Sequence, residues 1–286
     1  MAADGEGALA LCASARPIGI FDSGLGGLTV MRQIARALPN EDLVYFGDTA
    51  RVPYGIKSPP TIIHFSEQNC RFLCRLGPKL IVVACNTASA AALPHLQKTF
   101  DVPILGVVAP GARAAAAATR NRRVGVIGTE ATIKSRAYVE GIHALDPSIS
   151  IVDRACPLFV PLVEEGRGCD DAIVRLAAKE YLRPIIEFGA DTVVLGCTHY
   201  PLLKDALRLA LGRAVTIVDS AEETARAIAE RLEELGLRRS GAASPVYRYF
   251  VTDNPVRFAS VGSRIMGNIV ENVELVDLEA TADRSS

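Results

Sequence analysis

Apolar residues along this chain fall into two alternating patterns. Short uninterrupted runs, bounded by glycine, proline or small polar residues, read as strands buried on both faces. Longer stretches with apolar positions at helical spacing read as helices packed over them. The runs predict strands at 17–21, 43–46, 79–84, 102–107, 123–129, 149–153, 191–195, 215–218, 246–251 and 273–278. Helices are predicted at 28–38, 61–76, 88–96, 111–119, 160–166, 170–188 despite Pro184, 220–235 and 255–265. Repeated strand-then-helix order predicts an α/β fold with mainly parallel sheets.

The pattern restarts midway. Arg123-Val124-Gly125-Val126-Ile127-Gly128-Thr129 matches Pro17-Ile18-Gly19-Ile20-Phe21-Asp22-Ser23, an offset of 106 residues from Ile18 to Val124. Cys85 and Cys197 are 112 apart, and the strand starts Val102 and Val215 are 113 apart. Several matches in one order point to a duplication with loop insertions. Two pseudo-symmetric domains are therefore expected, with the active site in the cleft between them.

Each half ends a strand in a cysteine. Leu80-Ile81-Val82-Val83-Ala84-Cys85 runs into Asn86-Thr87-Ala88-Ser89, and Thr192-Val193-Val194-Leu195-Gly196-Cys197 runs into Thr198-His199-Tyr200-Pro201. Asn86 and Thr87 are helix-start residues, so Cys85 is expected at the carboxyl end of a strand against a helix N-terminus. Ligands bind at that place in open α/β sheets, and a helix N-terminus favours anions and a thiolate. The turn Asp22-Ser23-Gly24-Leu25-Gly26-Gly27 between strand and helix has the wrong glycine spacing for a dinucleotide fingerprint.

Composition narrows the classes. The chain has 286 residues, enough for two domains of moderate size, and 49% of them are apolar. A formal charge of −1 gives no reason to expect nucleic acid or a polybasic membrane contact. No apolar run approaches a membrane span. Residues 1–16 imitate a signal segment at Ala13-Ser14-Ala15, but Asp4 and Glu6 precede it without a Lys or Arg. They are read as a frayed tail, as are 279–286. The seven cysteines include no CxxC pair, which argues for free thiols in a reducing cytoplasm. Cys70 and Cys74, with His64 nearby, are read as core packing, since a metal would need further ligands.

Two opposed thiols suit the inversion of a carbon centre. A thiolate takes a proton from one face, and a thiol returns one to the other. Helix ends and neighbours are expected to tune such thiols towards neutrality, with Asp22 beside Cys85 and His199 beside Cys197. Ser23, Asn86, Thr87, Thr198 and backbone N–H groups could hold carboxylates. Taken singly, each residue has a plainer role: inert core cysteines, a turn aspartate, a capping histidine, a solvated Glu165. Their coincidence at equivalent strand ends favours chemistry.

The segments Ile20-Phe21-Asp22-Ser23-Gly24-Leu25-Gly26-Gly27, Pro53-Tyr54-Gly55, Ala84-Cys85-Asn86-Thr87-Ala88-Ser89 and Gly196-Cys197-Thr198-His199-Tyr200-Pro201 resemble, in order, those of the cofactor-independent aspartate/glutamate racemase superfamily, its glutamate racemases in particular. The resemblance spans about 17–275. It implies that Cys85 and Cys197 are the catalytic bases, with Asp22, His199 and Glu165 as helpers. It assigns Asp22, Ser23, Tyr54, Gly55, Asn86, Thr87, Thr198 and His199 to substrate contact. It implies a first domain from 17–112 plus 220–278 and an inserted second from 113–219. It further implies racemisation of glutamate without pyridoxal phosphate or metal, supplying D-glutamate for peptidoglycan in a bacterial cytoplasm. A homodimer is left open. The rival readings are an aspartate racemase or other sister enzyme, and a two-domain small-molecule binding protein. A decarboxylase on the same scaffold would need only one thiol.

Overall fold

A computed structural model describes residues 13–241, 244–268 and 270–278. Its elements alternate almost without exception. They begin β1 (Ile18–Asp22), α1 (Leu28–Ala37), β2 (Leu43–Gly47), α2 (Pro59–Cys74), β3 (Leu80–Val83), α3 (Asn86–Thr99), β4 (Ile104–Gly106) and α4 (Val108–Ala118). The chain continues through β5 (Arg123–Gly128), α5 (Glu130–Ser135), α6 (Ala137–His143), β6 (Ser150–Ala155), α7 (Phe159–Glu164), α8 (Ala172–Phe188), β7 (Thr192–Gly196), α9 (Lys204–Leu211) and β8 (Thr216–Asp219). It closes with α10 (Ser220–Glu234), β9 (Tyr247–Val251), α11 (Pro255–Met266) and β10 (Val273–Leu275).

Among the described residues ten strands make two sheets, ordered β10-β9-β2-β1-β3-β4 and β6-β5-β7-β8, and every strand pair there is parallel. The expected mainly parallel α/β architecture is thus observed. The cysteine runs are continuous because both faces are covered. Leu80, Val82 and Ala84 enter one core, while Ile81, Val83 and Cys85 enter the other. Each fully buried Val, Leu or Ile in such a strand contributes about 1.5–3 kcal/mol of transfer free energy.

The sheet order explains where the site must form. From β1 the chain goes to β2 on one side, then to β3 on the other. It does the same from β5, to β6 and then β7. Each reversal opens a crevice beyond the carboxyl ends of the two central strands. Cys85 follows β3 and Cys197 follows β7, so each cysteine stands at such a crevice. The order β4-β3-β1-β2 repeats as β8-β7-β5-β6, the pairing expected from the sequence repeat.

Two details differ from the sequence reading. Helices α5, α6 and α9 have no counterpart in it. They are six, seven and eight residues long, too short to display a clear helical period. Residues 13–16 are not frayed: Ser14 is buried and its carbonyl accepts from Lys79 Nζ at 2.7 Å. The remaining tail residues, 1–12 with Cys12 and 279–286, lie outside the described residues. The expected domain boundary at 112 lies within α4, which packs on β7 and β8. The chain rejoins the first sheet after α10, which packs against α1.

Candidate active site

Cys85 caps α3 with an extended backbone, so its side chain meets the first turn of that helix. The thiol donates to Ser23 Oγ at 3.6 Å. Burial pushes the thiol up to about 12, and the negative charge of Asp22 adds to this against the Ala88 N–H and the Ser23 hydroxyl. The expected tuning towards neutrality is therefore not found at Cys85. Desolvation of a buried thiolate outweighs one helix N-terminus, whose effect is only about 0.3–1 kcal/mol at an exposed site. Asp22 lies behind the cavity wall, completely buried, with Gly24 N donating to Oδ2 at 3.0 Å and Thr198 Oγ1 to Oδ1 at 3.5 Å. Burial raises its pKa, opposed by His199 and by the N–H groups of Gly24, Gly27 and Ser23.

The second cysteine has a different environment. Cys197 Sγ is 3.9 Å from His199 Nδ1, and His199 Nε2 is 3.2 Å from Glu164 Oε1. Arg257 Nη2 lies 3.6 Å from the other Glu164 oxygen. Burial acts to lower the His199 pKa. The hydrogen bonds to Cys197 and Glu164, and the charges of a Cys197 thiolate and Asp22, overcome it and raise the value to about 10. The hydrogen bond from His199 holds Glu164 below the usual carboxylate range, against burial and with help from the His199 and Arg257 charges.

Glu165, expected as the helper, is misassigned by one position. Its carboxylate turns outward and accepts from Arg167 Nε at 2.7 Å. Glu164, the last residue of α7, makes the contact with His199. One residue along a helix is about 100° of rotation, so adjacent acids cannot share a face. Glu164→Gln should therefore lower kcat about ten- to a hundredfold, the loss of a charge-assisted hydrogen bond. Without the anion His199 loses its proton at lower pH, so the alkaline limb of the kcat profile should move down. Glu165→Gln should stay within about twofold. Initial rates across pH check both, and equal losses in the two variants would refute the correction.

Both cysteines open onto one cavity of ≈ 320 Å³, lined also by Ser23, Tyr54, Gly55, Asn86, Thr87, Thr198 and His199. This is a volume at the lower end for small-molecule sites. The Tyr54 hydroxyl is engaged elsewhere: it donates to Asp48 and accepts from Asn69 Nδ2 at 3.1 Å. Asn86 Oδ1 accepts from Tyr138 at 2.6 Å, and its buried Nδ2 has no partner among the described residues. An unpaired buried donor costs free energy unless a ligand accepts from it. Thr87 Oγ1 lies 2.9 Å from Thr129 Oγ1 and 3.2 Å from Thr132 Oγ1, bridging segments of the two sheets. A Cβ at Gly55 would stand 2.8 Å from Thr129 Cβ, so glycine permits that close approach.

Sequence reasoning missed Thr129, Glu164 and the apolar rim of Val52, Ile56, Pro157 and Val160. Thr129 was findable, because the repeat pairs it with Ser23. Among the described residues no group of three or more His, Cys, Asp or Glu is placed to hold a metal. No helix among them is long and apolar enough to cross a membrane.

Comparison with known proteins identifies the family. The family model described as Asp/Glu/Hydantoin racemase matches residues 18–228. The glutamate racemase of Geobacter metallireducens is 54% identical over 265 residues, covering 93% of this chain and 98% of that protein. A crystal structure of the Francisella tularensis glutamate racemase in complex with D-glutamate superposes with a TM-score of 0.87 at 39% identity, covering 93% of this chain and 99% of the other. That of Thermus thermophilus gives 0.84 at 45% identity, covering 93% and 98%.

Proposed function

The chain belongs to the Asp/Glu/Hydantoin racemase family, and we propose from that premise that it interconverts L- and D-glutamate by proton transfer between two cysteines. The observation that carries the reading is the unlike setting of two cysteines on one cavity. Cys85 is a thiol at neutral pH, with its pKa near 12. Cys197 has an imidazolium 3.9 Å from its sulfur. With L-glutamate bound, the Cys197 thiolate takes the Cα proton and becomes a thiol. The electron pair left on Cα spreads into the α-carboxylate. Cys85 then gives its proton to the opposite face and is left as a thiolate. The D-to-L direction runs these steps backwards, with Cys85 as base.

The remaining residues bind and support. The Asn86 Nδ2 donor, the hydroxyls of Ser23, Thr87 and Thr198, and backbone N–H groups are the donors proposed for the two carboxylates. Asp22 and the Glu164–His199 pair set the charge beside their cysteines. No pyridoxal phosphate or metal takes part. We read 17–112 with 220–278 as one domain and 113–219 as the other, supported by sheet membership of the strands. The proposed setting is the bacterial cytoplasm, where the product would supply peptidoglycan synthesis.

Turnover tests the reading directly. Purified protein, dialysed against a chelator, should convert L-glutamate to D-glutamate as followed by polarimetry. Aspartate leaves one set of buried donors unpaired, at about 1–3 kcal/mol per group, so its kcat/KM should be at least about tenfold lower. Activity that appears only with added pyridoxal phosphate or a divalent metal would refute the mechanism. Equal kcat/KM for the two amino acids would instead favour a sister racemase.

A further inference from the structure

We infer that Tyr138 is a positioning residue, which fixes the Asn86 amide so that Nδ2, and not Oδ1, is offered to the substrate carboxylate. The inference rests on the reading of Asn86 as a substrate donor. An amide can present either end to a ligand, and only the N–H end suits an anion. The Tyr138 hydroxyl claims the oxygen end, donating to Asn86 Oδ1 at 2.6 Å. Asn86 lines the cavity, and the other end of its amide, Nδ2, is buried with no hydrogen-bond partner among the described residues.

Tyr138 is itself held so that this choice is fixed. Its side chain is buried, 2% exposed, so its hydroxyl does not turn to water. The ring lies between two glycines. A Cβ at Gly111 would stand 3.0 Å from ring Cε1 and 3.2 Å from the hydroxyl oxygen, and one at Gly196 would stand 3.1 Å from Cε2. Gly196 directly precedes Cys197, and Asn86 directly follows Cys85. One side chain thus touches the backbone entering one cysteine and the amide leaving the other. Arg136, in the left-handed conformation at φ 58°, ends α5 and turns the chain into α6, which carries Tyr138.

Steady-state kinetics with glutamate test this. Tyr138→Phe keeps the ring and removes the hydroxyl. It should raise KM for glutamate about tenfold and leave kcat within about twofold, the pattern of a contact made equally to ground and transition state. Asn86→Ala should raise KM at least as much. In the Asn86→Ala background, adding Tyr138→Phe should change KM by less than about twofold, because the partner through which it acts is gone. Gly111→Ala, which crowds the hydroxyl, should raise KM by an independent route if Tyr138→Phe folds poorly. The inference is overturned if Asn86→Ala raises KM while Tyr138→Phe and Gly111→Ala leave it unchanged. It is also overturned if Tyr138→Phe costs the same in both backgrounds, as a merely structural role would. An unchanged KM in Asn86→Ala removes the premise, and the inference with it.

Discussion

Cys85→Ala and Cys197→Ala should each lower racemisation at least about a thousandfold, because inversion needs a base on one face and an acid on the other. The two losses should not be alike in every respect. Cys197→Ala keeps the thiol whose pKa is near 12, and Cys85→Ala keeps the thiol beside His199. Cys85→Ala should therefore still exchange the Cα hydrogen of L-glutamate with solvent, and Cys197→Ala that of D-glutamate. Wild-type protein in heavy water should place deuterium in newly formed product and almost none in unreacted substrate at early times. Proton NMR of the Cα signal reads all of this. Label appearing equally in substrate and product from the start would indicate a single shared base. Near-normal racemisation in either alanine variant would end the two-cysteine mechanism.

Gly26→Ala should be nearly as damaging, although Gly26 holds no functional group. A methyl there would collide with Thr198 Oγ1 and stand 2.5 Å from His199 Nδ1 and 2.6 Å from His199 Cε1. Both side chains line the cavity, and His199 is the partner of Cys197. A neighbouring hydroxyl ties the two segments: Thr29 Oγ1 lies 2.8 Å from Gly26 O and 2.9 Å from Thr198 O and shares its one proton between them. The turn after β1 is thus the backing against which the Cys197–His199 segment is pressed. A misplacement of about 1 Å at reacting groups costs on the order of a hundredfold, so kcat/KM should fall at least that far. Overpacking of this kind costs about 1–3 kcal/mol of stability, so the variant should melt lower yet remain folded at assay temperature. Wild-type kcat/KM in a folded Gly26→Ala protein would show that the site tolerates displacement of Thr198 and His199.

Much of the machine is legible in the linear chain. Strands β3 and β7 declare themselves because both of their faces are buried, which demands uninterrupted apolar runs. The cysteines stand out because each run stops at one. The Asp219 cap is legible too: its carboxylate accepts from Ala221 N at 3.0 Å at the start of α10, as its residue type predicts. These are local properties, set by covalent neighbours and by one periodicity.

What the linear chain could not supply depends on residues far apart in it. Glu164 and Glu165 are equivalent as letters, and only the phase of α7 against His199 separates them. Tyr54 is a site residue by motif, yet Asp48 and Asn69 take its hydroxyl. Tyr138 sits on a seven-residue helix without a visible period and reaches Asn86 across 52 positions. The sequence by itself determined the parallel α/β class, the repeat and the two cysteines, since burial on both faces and strand-end position leave a mark in residue order. Tertiary structure alone decided how the Cys85 thiol is poised. A pKa depends on how completely the group leaves water and on which charges it then meets. For Cys85 that charge is Asp22, brought there by folding; folding likewise sets the Glu164–His199 pair beside the Cys197 sulfur.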